Sequence, residues 1–251
     1  MKRNDLTSYL TQLLKPQDFN DYAPNGLQIE GAQEIKKIIT GVTACQALID
    51  AAIERKADTV LVHHGYFWNG EPPEITGIKR ARIKKLLENN INLIGYHLPL
   101  DAHPQYGNNV QLAEILGWDV TSTLDAPVGK GIVFASEFSK PIKADTLAKH
   151  IEEKLGRKPL HIPSKKQDIK TIAWCTGGAQ DYIQHAIDHN IDAFLTGEVS
   201  ERTFHIAQEN NLDFFAAGHH ATERYGIKAL GEHLAHEFSL DVEFVDINNP
   251  V

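Results

Sequence analysis

Three short apolar runs in this chain each end in residues that bind metals. Thr59-Val60-Leu61-Val62 runs into His63-His64-Gly65. Leu93-Ile94-Gly95-Tyr96-His97 leads to Leu98-Pro99-Leu100-Asp101. Phe214-Phe215-Ala216-Ala217-Gly218 runs into His219-His220-Ala221-Thr222-Glu223. Imidazole with carboxylate is the donor set that suits zinc, iron, manganese, cobalt and nickel. Each run is too brief for a helix, and in open α/β sheets ligands bind at the carboxyl ends of the strands.

Taken singly, each cluster has a plain alternative. His63 and His64 point to opposite faces if the strand stays regular, leaving one ring buried and the other exposed. At a strand end turning into Gly65, both rings can enter one cavity. Asp101 is either a bridging carboxylate or the cap of a turn. His97 is a ligand or a donor that orients one, and the second role is preferred. His219 and Glu223 share a helix face if a helix begins at His219. His103, before Pro104, reads as a surface residue. Together, His63, His64, Asp101, His219 and Glu223 are too many ligands for one zinc with an open position. They suit two divalent ions per chain, which would activate water for hydrolysis. Glu198 and His97 are the candidates for moving a proton, and Thr43, Tyr66 and Trp68 for lining the cavity. Gly177-Gly178 could approach a phosphate, but a tight turn is the stronger reading. No Gly-x-Ser-x-Gly elbow occurs, so serine hydrolase chemistry has no support.

The elements that must carry these residues alternate. Apolar runs at 38–43, 59–63 and 91–96 read as strands. Helical spacing at 4–14, 46–55 and 79–88 reads as helices. The pattern then returns. With Ile38 set on Ile172, Gln46 falls on Gln180, Ala52 on Ala186, Ile53 on Ile187, Asp58 on Asp192, and His64 opposite Glu198. A second register sets His97 on His219 and Asp101 on Glu223. The expected fold is therefore a duplicated α/β unit with mixed or mostly parallel sheets covered by helices. The lobes are expected at 1–125 and 126–251, intertwined, with the C-terminus returning to the first. A strand at 131–136 and a helix at 144–155 join the halves.

Composition narrows the class. Of 251 residues, 42% are hydrophobic, enough for a substantial core. Two cysteines outside any C-x-x-C pair argue against a disulfide framework and for a reducing cytoplasm. A formal net charge of −8 argues against a broad nucleic-acid-binding face. No run is long enough to span a membrane.

The motifs also resemble a known family. They are Asp21-Tyr22-Ala23-Pro24-Asn25-Gly26-Leu27-Gln28, Gly41-Val42-Thr43, Val62-His63-His64-Gly65, His97-Leu98-Pro99-Leu100-Asp101, Leu195-Thr196-Gly197-Glu198 and Gly218-His219-His220-Ala221-Thr222-Glu223. The resemblance is to the GTP cyclohydrolase 1 type 2 homologs, a dinuclear-metal-centre family, in its short bacterial branch. It implies a ring-shaped homohexamer and metal ligation by His63, His64, Asp101, His219 and Glu223. For function, it implies a metal-dependent hydrolase acting on a nucleotide or related small molecule, with a link to DNA damage. A metal-handling or metal-insertion protein and a metal-stabilised interaction scaffold are the alternatives.

Overall fold

The structure, a computed structural model, describes residues 1–166 and 168–251. It divides into two compact units. The first comprises 1–107 with 226–248, and the second 108–225 with 249–251. The sequence reading places the boundary at 125/126.

In chain order the elements are α1 (Arg3–Leu14), β1 (Gly26–Ile29), β2 (Lys37–Thr43), α2 (Gln46–Glu54), β3 (Thr59–His64), α3 (Gly77–Glu88), β4 (Asn92–Gly95), α4 (Leu98–Asp101) and α5 (Asn108–Leu116). There follow β5 (Ser122–Ala126), β6 (Gly129–Lys143), α6 (Ala144–Leu155), β7 (Leu160–Ile162), β8 (Asp168–Trp174), α7 (Ile183–Asp188), β9 (Ala193–Thr196), α8 (Glu201–Glu209), β10 (Asp213–Ala216), α9 (His219–Phe238) and β11 (Asp241–Phe244). β6 runs well past the expected 131–136. Its register breaks between Glu137 and Ile142, a stretch containing Pro141, which has no N–H to give a ladder.

The first unit holds a sheet of order β1-β4-β3-β2-β11. β4, β3, β2 and β11 run parallel, and β1 is antiparallel at the edge. Its strands alternate between two buried faces, as the period of two demands. Ile38, Val42, Leu61 and Ile94 pack with Leu6, Leu10 and Leu14 of α1 and with Ile227, Leu230 and Leu234 of α9. Ile39, Val60, Val62 and Leu93 pack with Leu48, Ile49 and Ala52 of α2 and with Ile83 and Leu86 of α3. By the same alternation, His63 is directed to the face that Leu61 uses.

The second unit holds β5-β6-β8-β9-β10-β7. Here β8, β9 and β10 are parallel, with β7 antiparallel beyond β10. Antiparallel β6 lies beside β8, where the first unit has parallel β11. Trp174, Leu195 and Phe215 pack with Leu147, Ile151 and Leu155 of α6. Both sheets are thus mixed, and both repeat one strand-helix-strand-helix-strand core.

The repetition extends to single hydrogen bonds. Asp58 Oδ2 accepts the backbone N–H groups of Lys36 and Lys37 at 2.8 and 2.9 Å. Asp192 Oδ2 accepts those of Lys170 and Thr171 at 3.0 and 3.1 Å. After the matching helices, Lys56 and Asn190 both turn the chain in the left-handed region, at φ 54° and 55°. Asn90 and Asn211 do so at 53° and 55°.

One register needs correction. Ile38 pairs with Thr59 and Ile172 with Ala193, as the first alignment requires. Thr59 then pairs with Asn92, but Ala193 pairs with Asp213. Continuing from Asn92 and Asp213, His97 corresponds to Gly218 and Asp101 to Thr222, one residue short of His219 and Glu223. The helix starts agree, since α4 begins at Leu98 and α9 at His219. The two copies therefore deliver their side chains from different positions of one strand–helix joint. His97 stands just before its helix, whereas His219 opens its own.

The shared aspartate sets a testable stability term. Burial opposes ionisation of Asp192, but the Lys166 ammonium and the backbone N–H groups of Lys170 and Thr171 hold its pKa below the ordinary 3.8. A depressed carboxylate stabilises above its unfolded pKa, and that contribution is lost as the pH falls through the folded value. Asp58→Ala and Asp192→Ala should each cost about 1–3 kcal/mol in urea unfolding at neutral pH. The Asp192→Ala penalty should shrink as the pH falls below about 4. An unchanged penalty at acid pH would contradict the assignment.

Candidate metal centre

In the first unit, β3 ends at His64 and the chain turns into Gly65, so the strict alternation of side chains lapses. The His63 and His64 rings come together, with centroids 4.5 Å apart. His63 is buried and His64 half-buried. The alternative of one buried and one fully exposed ring does not hold. Asp101, buried in α4, brings Oδ1 to 3.4 Å from His63 Nε2.

His97 joins this pair. One ligand atom from each of His63, His64 and His97 lies within 4.8 Å of the other two. The sequence reading prefers His97 as an orienting residue. In the structure it shares a candidate ion-holding group with His63 and His64, and Asp21 holds its ring. Asp21 Oδ1 accepts from His97 Nδ1 at 2.8 Å, and Oδ2 accepts the Leu98 N–H at 3.0 Å. Asn25 Oδ1 accepts the His97 N–H at 2.8 Å. Burial opposes the charge on Asp21, but hydrogen bonds from His97, Asn25 and Ala23 hold its pKa below the usual carboxylate range. With Nδ1 committed as a donor, His97 can offer only Nε2 as a lone pair.

His63 follows the same rule. His63 Nδ1 lies 3.0 Å from the Tyr96 carbonyl, which can only accept, so Nδ1 carries the proton. His64 Nδ1 is 3.2 Å from Thr43 Oγ1. In the second unit, His219 Nδ1 is 2.6 Å from Glu198 Oε1, and Nε2 is 2.9 Å from the buried Glu223 Oε2. Burial opposes charge on His219, but Glu223 and Glu198 outweigh it and push its pKa up to about 9. A cation arriving at Nε2 would have to displace that proton.

Backbone packing makes room for these groups. Gly177 has φ +70°, and a Cβ there would lie 1.8 Å from Glu223 Oε1. Its N–H is given to Thr222 Oγ1 at 3.0 Å, which favours the turn reading over a phosphate cradle. A Cβ on Gly65 would lie 2.1 Å from Gln28 Oε1, the atom that accepts the Tyr66 N–H at 2.7 Å. Gln28 thereby fastens the Asp21–Gln28 segment to the turn after His64.

Two expected residues fall elsewhere. Tyr66 is part of the hydrophobic core, its hydroxyl donating to the Ala44 carbonyl at 2.6 Å. His103 is half-buried, not a surface residue. Its Nδ1 accepts the Tyr106 N–H at 3.0 Å and caps a turn. Asp21 and Asn25 escape recognition as site residues from sequence. Their only signal there is the turn-rich Asp21-Tyr22-Ala23-Pro24-Asn25-Gly26 stretch.

The sequence model of the DUF34/NIF3 family, for NGG1p interacting factor 3, matches residues 1–250. The chain belongs to the DUF34/NIF3 family. Among the DUF34/NIF3 relatives, a Haemophilus influenzae protein is 56% identical with both chains fully covered, and one from Yersinia pestis is 53% identical over the same extent. Both carry the name GTP cyclohydrolase 1 type 2 homolog. Of solved structures, a structural-genomics protein ybgI of unknown function is 51% identical, with TM-score 0.95 and full coverage of both chains. TTHA1606 from Thermus thermophilus is 34% identical, with TM-score 0.89 over the same full coverage. These likenesses agree with the resemblance read from the motifs and with the mixed α/β fold.

Asp21 offers a direct test within this DUF34/NIF3 chain. Asp21→Ala should weaken zinc binding roughly 10–100-fold by releasing the His97 ring, as measured by competition with a chelating dye. Unaltered affinity would show that His97 needs no such support.

Proposed function

We propose that this chain is a divalent-metal protein holding two ions, with His63, His64, Asp101, His219 and Glu223 as ligands and His97 as a further one. The observation that carries this reading is the shared setting of four imidazoles. His63, His64, His97 and His219 each have Nδ1 against an oxygen, the arrangement typical of metal-bound histidine. The donors are nitrogen and carboxylate oxygen throughout, which fits zinc, iron, manganese, cobalt or nickel.

The activity we propose is hydrolysis of a nucleotide or related small molecule, in keeping with the family resemblance and with a role in handling damaged nucleotides. Divalent ions bound here would polarise the group attacked and acidify water. The chain's own residues hold the donors in place. Asp21 fixes the His97 ring, Tyr96 the His63 ring, and Thr43 the His64 ring. Glu198 fixes His219 through Nδ1 and, with 40% of its side chain exposed, is our candidate for moving a proton between the site and solvent. Two divalent ions would outweigh Asp101 and Glu223 in formal charge, which favours an anionic substrate. A ring-shaped homohexamer and a cytoplasmic location belong to the same proposal, supported by the resemblance and, for location, by the cysteine usage. Among the described residues no helix is long and apolar enough to cross a membrane.

Elemental analysis of purified variants tests the ligands. His63→Ala and Asp101→Ala should each lower metal content, while His103→Ala should not. Full retention in both site variants would sink the assignment. A nucleotide screen on protein reconstituted with each metal tests the activity, with turnover expected to vanish on chelation and return with metal. Retained metal with no turnover in any combination would replace hydrolysis by metal handling.

A further inference from the structure

Two aromatic rings border the His63, His64 and His97 cluster, and the metal reading uses neither. Trp68 packs edge-on to His97, with centroids 4.9 Å apart and an interplanar angle of 76°. It also lies 5.8 Å from the His64 ring. Tyr22 packs edge-on to His97 at 5.0 Å and 71°. The two rings are 5.8 Å from each other, inclined by 36°.

The Trp68 ring and the backbones of both loops are held by local bonds. The Trp68 indole N–H donates to the Gly65 carbonyl at 3.1 Å, and the Trp68 backbone N–H to Glu71 Oε2 at 3.0 Å. The Asn69 N–H donates to the Tyr22 carbonyl at 2.8 Å, which stitches the two loops together. Phe67, just before Trp68, sits at φ +66°, a region that side-chain-bearing residues rarely adopt. The loop accepts that conformation while presenting the indole to the histidines. Yet Tyr22 is 49% exposed and Trp68 only half-buried. Rigid, partly exposed aromatic surface beside a polar cluster is a ready contact for an apolar face.

We infer that Tyr22 and Trp68 form a stacking platform that receives a planar heteroaromatic ring and sets it beside the histidine cluster. A third ring does not fit between them, since that needs about 7 Å, two contacts of about 3.5 Å. The ring therefore lies on an outward face. An organic cation is the other ligand that aromatic rings attract, but bound divalent ions would repel it. The inference names the substrate class for the site proposed above, and it rests on that reading only in excluding the cation.

Calorimetric titration tests it, with guanosine 5′-monophosphate as the ring-bearing probe and ribose 5-phosphate as its ringless counterpart. Metal-loaded and chelator-stripped protein are both used. The ring-bearing probe should bind at least about 10-fold tighter. Trp68→Ala and Tyr22→Ala should each weaken it roughly 5- to 100-fold, the effect of losing one base–aromatic stack. Ribose 5-phosphate affinity and metal content should stay unchanged in both, which also reports that they fold. Trp68→Phe should keep most of the affinity. Equal affinity for the two probes, undiminished binding in both alanine variants, or loss of metal in them would overturn the platform. The last result would make the rings only a wall of the cluster. Ring preference in protein that takes up no metal would sustain the platform and remove the metal reading. Metal uptake without ring preference would do the reverse.

Discussion

The candidate site depends on the commitment of one nitrogen of each histidine to an oxygen. An imidazole has two nitrogens, and when neutral only one carries a proton. Tyr96 and Asp21 decide that choice for His63 and His97, whereas His219 has a carboxylate on each nitrogen, Glu198 at Nδ1 and Glu223 at Nε2. For His63 and His97 the commitment leaves Nε2 as the nitrogen able to bind, in a ring whose orientation is already fixed, whereas His219 must first give up the proton it holds toward Glu223. Without such commitments, the rings could rotate or exchange tautomers, and ion binding would have to order them first.

The surrounding fold maintains those commitments by close approach. Asp21 serves His97, Leu98, Ala23 and Asn25 at once, so one carboxylate fixes both a ring and the start of α4. Gln28 occupies the space that Gly65 leaves bare. Gly177 does the same for Glu223, where any side chain would collide. These glycines have a different purpose from those of a phosphate-binding loop. They let acidic and amide side chains reach positions that a Cβ would block.

Much of this was legible in the sequence. The apolar runs identified β2, β3, β4 and β10, because strands buried on both faces need nearly continuous hydrophobic residues. Ile38 against Ile172 and Asp58 against Asp192 revealed the repeat, and the structure shows why Asp recurs: it accepts two successive backbone N–H groups from the preceding strand segment in both copies, at the entry to β2 in the first and within β8 in the second. The offset between His97 and His219 was hidden, because matching side-chain types concealed a one-residue difference at the strand–helix joint. Asp21 was hidden for another reason. Its bond to His97 spans a long loop of chain, and no local spacing reports such a partner. Tyr66 misled because a tyrosine near two histidines suggests a cavity, whereas its hydroxyl is satisfied by Ala44 within the core.

The most direct test of the account is a crystal structure of the protein grown with zinc, with the ions located by anomalous scattering at the zinc edge. The account predicts that His63, His64, His97 and His219 each approach an ion through Nε2 at about 2.0–2.1 Å, with every Nδ1 still on its oxygen partner. Coordination through Nδ1, or anomalous peaks away from these rings, would contradict it.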